Sequence, residues 1–160
     1  RRRYADAGGD VVTVTIMPMI AADAIDIQRQ VSQRVQLGIE RDMSIEEAEE
    51  LAAGPGEAWT VRHDDRIAAC VGLRETFPER QAVAWAILAE GVGAAHLAVT
   101  RFARRRIAES PLRRIEAIVR AEVPAECVWA RLVGLQAAHV LRCFGARSET
   151  HVLFERIRED

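Results

Sequence analysis

An apolar run from Ala82 to Leu88 is followed at once by Glu90-Gly91-Val92-Gly93-Ala94-Ala95 and then by a helical stretch carrying an arginine cluster. That order makes either a plain tight turn or a phosphate trap. A strand that hands two glycines to a helix start leaves several backbone N–H groups unpaired at the positive end of the helix dipole, where a pyrophosphate can sit. Glycine lets such an anion come close to the main chain. Gly91, Val92, Gly93, Ala94 and Ala95 are therefore the candidate phosphate-facing residues.

The rest of the chain can be parsed around this turn. Val11 to Met17 is β-branched and alternates with threonines, which predicts a strand stopped by Pro18. Ala24, Ile27, Val31 and Val35 recur at helical spacing, so a helix is expected over Ala22 to about Leu37, ending at Gly38. Ser44-Ile45-Glu46-Glu47 is a capping box that opens a second helix, expected to reach about Ala53 before Gly54-Pro55-Gly56. Ala58–Arg62 and Ile67–Glu75 flank a turn at His63-Asp64-Asp65-Arg66 and predict a hairpin. A second turn at Phe77-Pro78-Glu79-Arg80 leads into the strand from Gln81 to Leu88, giving three antiparallel neighbours. The helix from about Ala94 to Ala108 is expected to bury Leu97, Ala98, Phe102 and Ala103. Arg114–Arg120 reads as a strand, and Pro124 to about Val133 as a short helix ended by Gly134. Ala138–Phe144 and Thr150–Ile157 form a closing hairpin.

Composition narrows the class. Of 160 residues, 49% are hydrophobic, enough to bury one core and too few residues for two domains. One domain over residues 11–160 is expected, preceded by a flexible arm at 1–10. No run of about 18 apolar residues occurs, and the start lacks a secretory pattern, so the expectation is a soluble, cytoplasmic protein with no membrane partner. Cys70, Cys127 and Cys143 are odd in number and widely spaced, which predicts buried reduced thiols rather than a disulfide framework or a Cys-x-x-Cys metal site. His63, His96, His139 and His151 lack metal-ligand spacing and are expected to be structural or exposed, so no metal is expected. Formal charge is −2, which gives no global pull toward nucleic acid. Arginines from Arg101 to Arg114 form a local basic face, but aromatic residues do not interleave with them, which disfavours a nucleic-acid partner.

The order strand, two helices, three meandering strands, Gly-x-Gly helix, strand, helix, hairpin resembles the GNAT superfamily of acyl-CoA-dependent N-acetyltransferases over residues 11–157. Glu90-Gly91-Val92-Gly93-Ala94-Ala95 is similar to that family's Gln/Arg-x-x-Gly-x-Gly/Ala loop, Ile67-Ala68-Ala69-Cys70-Val71-Gly72 to its third strand, and Trp129-Ala130-Arg131-Leu132-Val133-Gly134-Leu135 to a late Tyr-x-x-x-Gly-Phe segment. The tail from Gly134 to Phe154 resembles a GNAT-like branch of bacteriophages that includes internal virion proteins.

The resemblance implies an α+β fold with a mixed, mostly antiparallel central sheet of about six to seven strands and about four helices. It implies acetyl-CoA as cosubstrate and a small-molecule or protein amine as acceptor. Its alternative branch implies an inactive structural or assembly protein of phage origin, in contact with a phage particle or with its own copies. Leu88 would offer main-chain hydrogen bonds to a pantetheine arm, and Gly91 through Ala95 would hold the phosphates. Arg104 to Arg106 would suit a 3′-phosphate, although three arginines on a helix also make an ordinary solvated face. Glu75, near the end of the third strand, is the expected catalytic base, its other reading being an exposed charge at a strand end. Trp59, Trp85 and Trp129 are candidates for an acceptor pocket or for core. Two positions depart from the family: Glu90 puts a carboxylate where Gln or Arg is usual, and Ala130 stands where many members carry a proton-donating tyrosine.

Overall fold

The computed structural model describes residues 2–5, 11–33, 35–36, 39–40 and 42–159. The strands are β1 (Arg2–Ala5), β2 (Val11–Pro18), β3 (Val35–Gln36), β4 (Ile39–Glu40), β5 (Gly56–His63), β6 (Arg66–Phe77), β7 (Gln81–Leu88), β8 (Arg114–Arg120), β9 (Gln136–Phe144) and β10 (Glu149–Ile157). The helices are α1 (Ala21–Asp26), α2 (Ile45–Ala53), α3 (His96–Glu109) and α4 (Pro124–Leu132), with 3-10 turns at Val31–Gln33 and Gly93–Ala95. Eight strands form one sheet in the order β1-β2-β5-β6-β7-β8-β10-β9, and β3 and β4 pair apart from it. Every described pair is antiparallel except β7 with β8. This is the expected α+β class. Of the arm expected at residues 1–10, Arg2–Ala5 adds an edge strand beside Val11–Val14, and residues 1 and 6–10 lie outside the described residues.

Alternation along the strands sends two sets of side chains to opposite faces. Val71 and Leu73 of β6, Ala82, Ala84 and Ala86 of β7, and Ile115 of β8 pack under α3 and α4. Cys70, Trp85 and Ile87 face the other way, toward α1 and α2. On α3 the buried residues are Val99, Phe102 and Ile107. Leu97, expected on that face, is 58% exposed. The spacing of Val99, Phe102, Ala103 and Ile107 fits the helical stripe better, because it keeps contact with the sheet through to the C-terminal end.

The first helix departs most from expectation, since α1 stops at Asp26 rather than near Leu37. Ala24 and Ile27 are buried as the spacing requires, whereas Val31 is 69% exposed. Past Ile27 the backbone becomes extended, and this segment bonds to the end of β7. Glu90 N–H donates to the Gln28 carbonyl at 2.7 Å, Arg29 bridges Ala89, and Gln30 N–H donates to the Leu88 carbonyl at 2.9 Å. An unpaired strand edge offers these residues more hydrogen bonds than another helical turn would. The expected stop at Gly38 lies outside the described residues. At its start α1 is pinned to the sheet by Asp23, 3% exposed, which accepts from Thr60 Oγ1 at 2.7 Å and Arg62 Nη2 at 2.6 Å.

Candidate functional site

The central feature is where β7 and β8 part. They run parallel and pair only over Gln81–Val83 and Arg114–Glu116, after which β7 continues to Leu88 without a strand neighbour on that side. Odd-numbered residues of β7 bond to β6, so the main-chain groups of Ala86 and Leu88 face the gap. The gap opens into a cavity of about 420 Å³ that reaches both faces of the sheet. Under α3 its wall is rich in alanine, with Ala84, Ala86, Ala103, Ala117 and Ala130 leaving room that larger side chains would fill. Trp59, Trp85 and Trp129 all line it.

Beyond Leu88 the chain turns through Gly91, at φ +72, into the 3-10 turn that starts α3. Val92 N–H donates to the Ala89 carbonyl at 3.2 Å and Ala95 N–H to the Val92 carbonyl at 2.7 Å. Gly91, Gly93 and Ala94 are exposed, and among the described residues nothing accepts from their N–H groups. A Cβ built on Gly91 or Gly93 would meet no atom within 4 Å, so the space above the loop is open. Of the expected anion donors, Gly91, Gly93 and Ala94 thus remain available, and Val92 and Ala95 are spent on the turn itself.

Leu88, expected to bond a ligand through its main chain, is also engaged. Its N–H donates to Gln33 Oε1 at 2.6 Å, while Gln33 Nε2 donates to the Ala86 carbonyl at 3.4 Å. The Gln33 carboxamide occupies the edge as a strand peptide would. From the opposite lip, Arg120 of β8 donates to the Ser32 carbonyl and, at 3.3 Å, to Glu126 Oε1. Residues 30–33 consequently tie the two lips of the gap together.

Glu75 lies elsewhere. It pairs with Ala82, whereas Leu88 pairs with Ala69, six residues along β6 and about 20 Å away at strand spacing. Its carboxylate accepts from Glu79 N–H at 2.8 Å and caps the β6–β7 turn, and Glu75 is absent from the cavity wall. Among the described residues, the carboxylates that do line the cavity are Glu57 and Glu126. Glu57 forms a two-pronged pair with Arg106, in which Arg106 Nε lies 2.9 Å from Oε1. That pairing lifts the Arg106 pKa further and takes this arginine from the expected 3′-phosphate group. Arg104 and Arg105 are exposed near the far end of α3, about 12 Å or more of helix rise from its start.

Glu126 stands in the first turn of α4, and burial pushes its carboxyl above the ordinary value despite Arg120 beside it. His151, expected to be structural or exposed, is 2% exposed and lines the cavity, and its Nδ1 finds no partner among the described residues. Sequence reasoning missed Glu126 and Gln33, because neither belongs to a local pattern and their placement at the cavity depends on strand order. Ala130 is buried on the cavity wall and supplies no hydroxyl there. Among the described residues no cluster of His, Cys, Asp and Glu is suited to a metal ion, and no helix is long and apolar enough to cross a membrane.

No protein-family model and no curated protein matches the sequence. Solved structures do match in shape. A protein assigned as a phosphinothricin N-acetyltransferase superposes with a TM-score of 0.74 at 9% identity, over 92% of this chain and 100% of its own. Spermidine N-acetyltransferase from Vibrio cholerae, solved in complex with CoA and spermine, gives 0.68 at 16% identity over 90% and 95%. Ribosomal-protein-S5-alanine acetyltransferase from Vibrio fischeri gives 0.65 at 16% identity over 94% and 98%.

Proposed function

With the fold of the GNAT acetyltransferases as the premise, we propose that this chain transfers an acetyl group from acetyl-CoA to a primary amine. The observation that carries the reading is the set of open amides at Gly91, Gly93 and Ala94, placed at the start of α3 directly beyond a strand that leaves its neighbour. A diphosphate fits those donors and the positive helix end. The thioester arm then lies along the gap, replacing Gln33 at Leu88 N–H, and Ala86 N–H faces the thioester oxygen. The amine nitrogen attacks the carbonyl carbon, the tetrahedral intermediate collapses, the C–S bond breaks and the thiolate leaves, while the second proton shed by the new amide nitrogen passes through solvent to the thiolate. Glu126 takes the ammonium proton before attack, because it lines the cavity and burial raises its proton affinity. Most of the acceleration comes from holding the two reactants together.

A second reading, a GNAT-fold protein without turnover, is supported by Ala130, which cannot protonate the leaving thiolate, and by the closed lips of the gap. Thermal unfolding with acetyl-CoA separates the two. At about 100 times its Kd the ligand adds about 2.7 kcal/mol, a rise of about 5–10 °C for a chain of this size. No rise at millimolar acetyl-CoA, with no heat in calorimetry, overturns the acyl-transfer reading.

A further inference from the structure

Building on that reading, we infer that the acceptor amine carries a flat, apolar body, and that Trp85 is the surface on which it rests. Trp85 projects from β7 to the α1/α2 face, where it packs across Gly72 of β6. A Cβ at Gly72 would lie 2.6 Å from Trp85 Cζ2 and 2.7 Å from Cε2, so the missing side chain is what seats the indole against the sheet. The ring is half-buried and lines the cavity beside Met43, Leu51 and Ile118. An aromatic floor with aliphatic walls favours a planar apolar ligand.

Charge excludes the opposite kind of acceptor. A polyamine brings further ammonium groups, each needing a carboxylate or water once it leaves solvent. Among the described residues the carboxylates of the cavity wall are Glu57, held by Arg106, and Glu126, held by Arg120. A second cation entering there meets two arginines whose anionic partners are taken. The spermidine acetyltransferases therefore share this chain's fold without being a guide to its acceptor.

Binding is measured first without cofactor, by calorimetry of the full chain with 2-phenylethylamine and with spermidine. The expected result is binding of 2-phenylethylamine at least tenfold tighter than spermidine, a loss of at least tenfold in Trp85→Leu, and recovery in Trp85→Phe, which keeps a ring. Circular dichroism establishes that the variants are folded. Equal or tighter binding of spermidine, no binding of 2-phenylethylamine, or Trp85→Leu binding like the parent overturns the inference. Turnover with acetyl-CoA is measured second, where Trp85→Leu is expected to raise KM for 2-phenylethylamine more than it lowers kcat. An arylalkylamine that binds with no acetyl-CoA-induced stabilisation would refute acyl transfer while leaving the pocket assignment standing.

Discussion

Gly72 and Arg156 show how single side chains, or their absence, hold this site in place. At Gly72 an added Cβ would also lie 2.4 Å from the Glu57 carbonyl, a backbone atom that cannot step aside as a flexible side chain can. Gly72→Ala is expected to cost about 1–3 kcal/mol in urea unfolding and to weaken amine binding through the displaced Trp85. Arg156 closes the far end of α3, donating to the carbonyls of Ile107 and Leu112 at 2.7 Å and of Ser110 at 3.1 Å. Burial lowers its pKa, yet the guanidinium stays charged at any working pH and meets the negative end of the helix dipole. Arg156→Met should lose about 2 kcal/mol or more of stability, since charged hydrogen bonds to buried carbonyls are among the stronger ones. Glu126 carries the catalytic prediction. A base works when deprotonated, so kcat/KM should rise with pH through an apparent pKa above the ordinary carboxylate value, and Glu126→Gln should lower kcat by about 100-fold with that limb removed.

At the scale of elements, the 30–33 segment occupies the β7 main-chain groups that the proposed cosubstrate would need. Gln33 meets Leu88 N–H and the Ala86 carbonyl with the two halves of one carboxamide, the same pair of groups that an amide-bearing cofactor arm presents. Gln33→Leu leaves the Leu88 donor unsatisfied and should destabilise the free protein by about 1–3 kcal/mol. The acetyl-CoA-induced rise in Tm should then be larger than in the parent, because the ligand no longer displaces an internal partner. A smaller rise would mean that Gln33 assists binding instead. Glu90 acts in the same sense. It is exposed one residue before the open amides, so its charge opposes a diphosphate at the helix start. Glu90→Gln should tighten acetyl-CoA binding by about 2–5-fold at low ionic strength, with the gain shrinking as salt is added.

Across the whole molecule, the eight-stranded sheet places one cysteine beyond reach. Cys70 is fully buried on β6 between Thr60 and Ile87, and desolvation pushes its thiol pKa up to about 12. At pH 8 almost none of it is thiolate, the reactive form. All three cysteines were expected to be buried, but Cys143 lies exposed on the edge strand β9, so in the folded protein a disulfide reagent should react promptly with Cys143, more slowly with half-buried Cys127, and with Cys70 only on global unfolding. Prompt modification of all three thiols under native conditions would show that the β5–β6–β7 centre opens locally.

The local grammar of the chain was legible without coordinates. Strand alternation gave β2 and β5 through β8, the Ser44 capping box gave α2, and glycines and prolines marked the ends, because each signal acts over a few neighbouring residues. The turn at Gly91–Gly93 was legible for the same reason, although the sequence did not show that Val92 and Ala95 N–H would bond within the turn itself. Tertiary structure alone decided that α1 stops at Asp26, that Gln33 covers the edge of β7, and that Glu126 and His151, rather than Glu75, stand at the cavity. Those outcomes turn on hydrogen bonds and contacts between residues tens of positions apart, where an unpaired strand edge outbids a helical turn, and no spacing rule within a short window carries that competition.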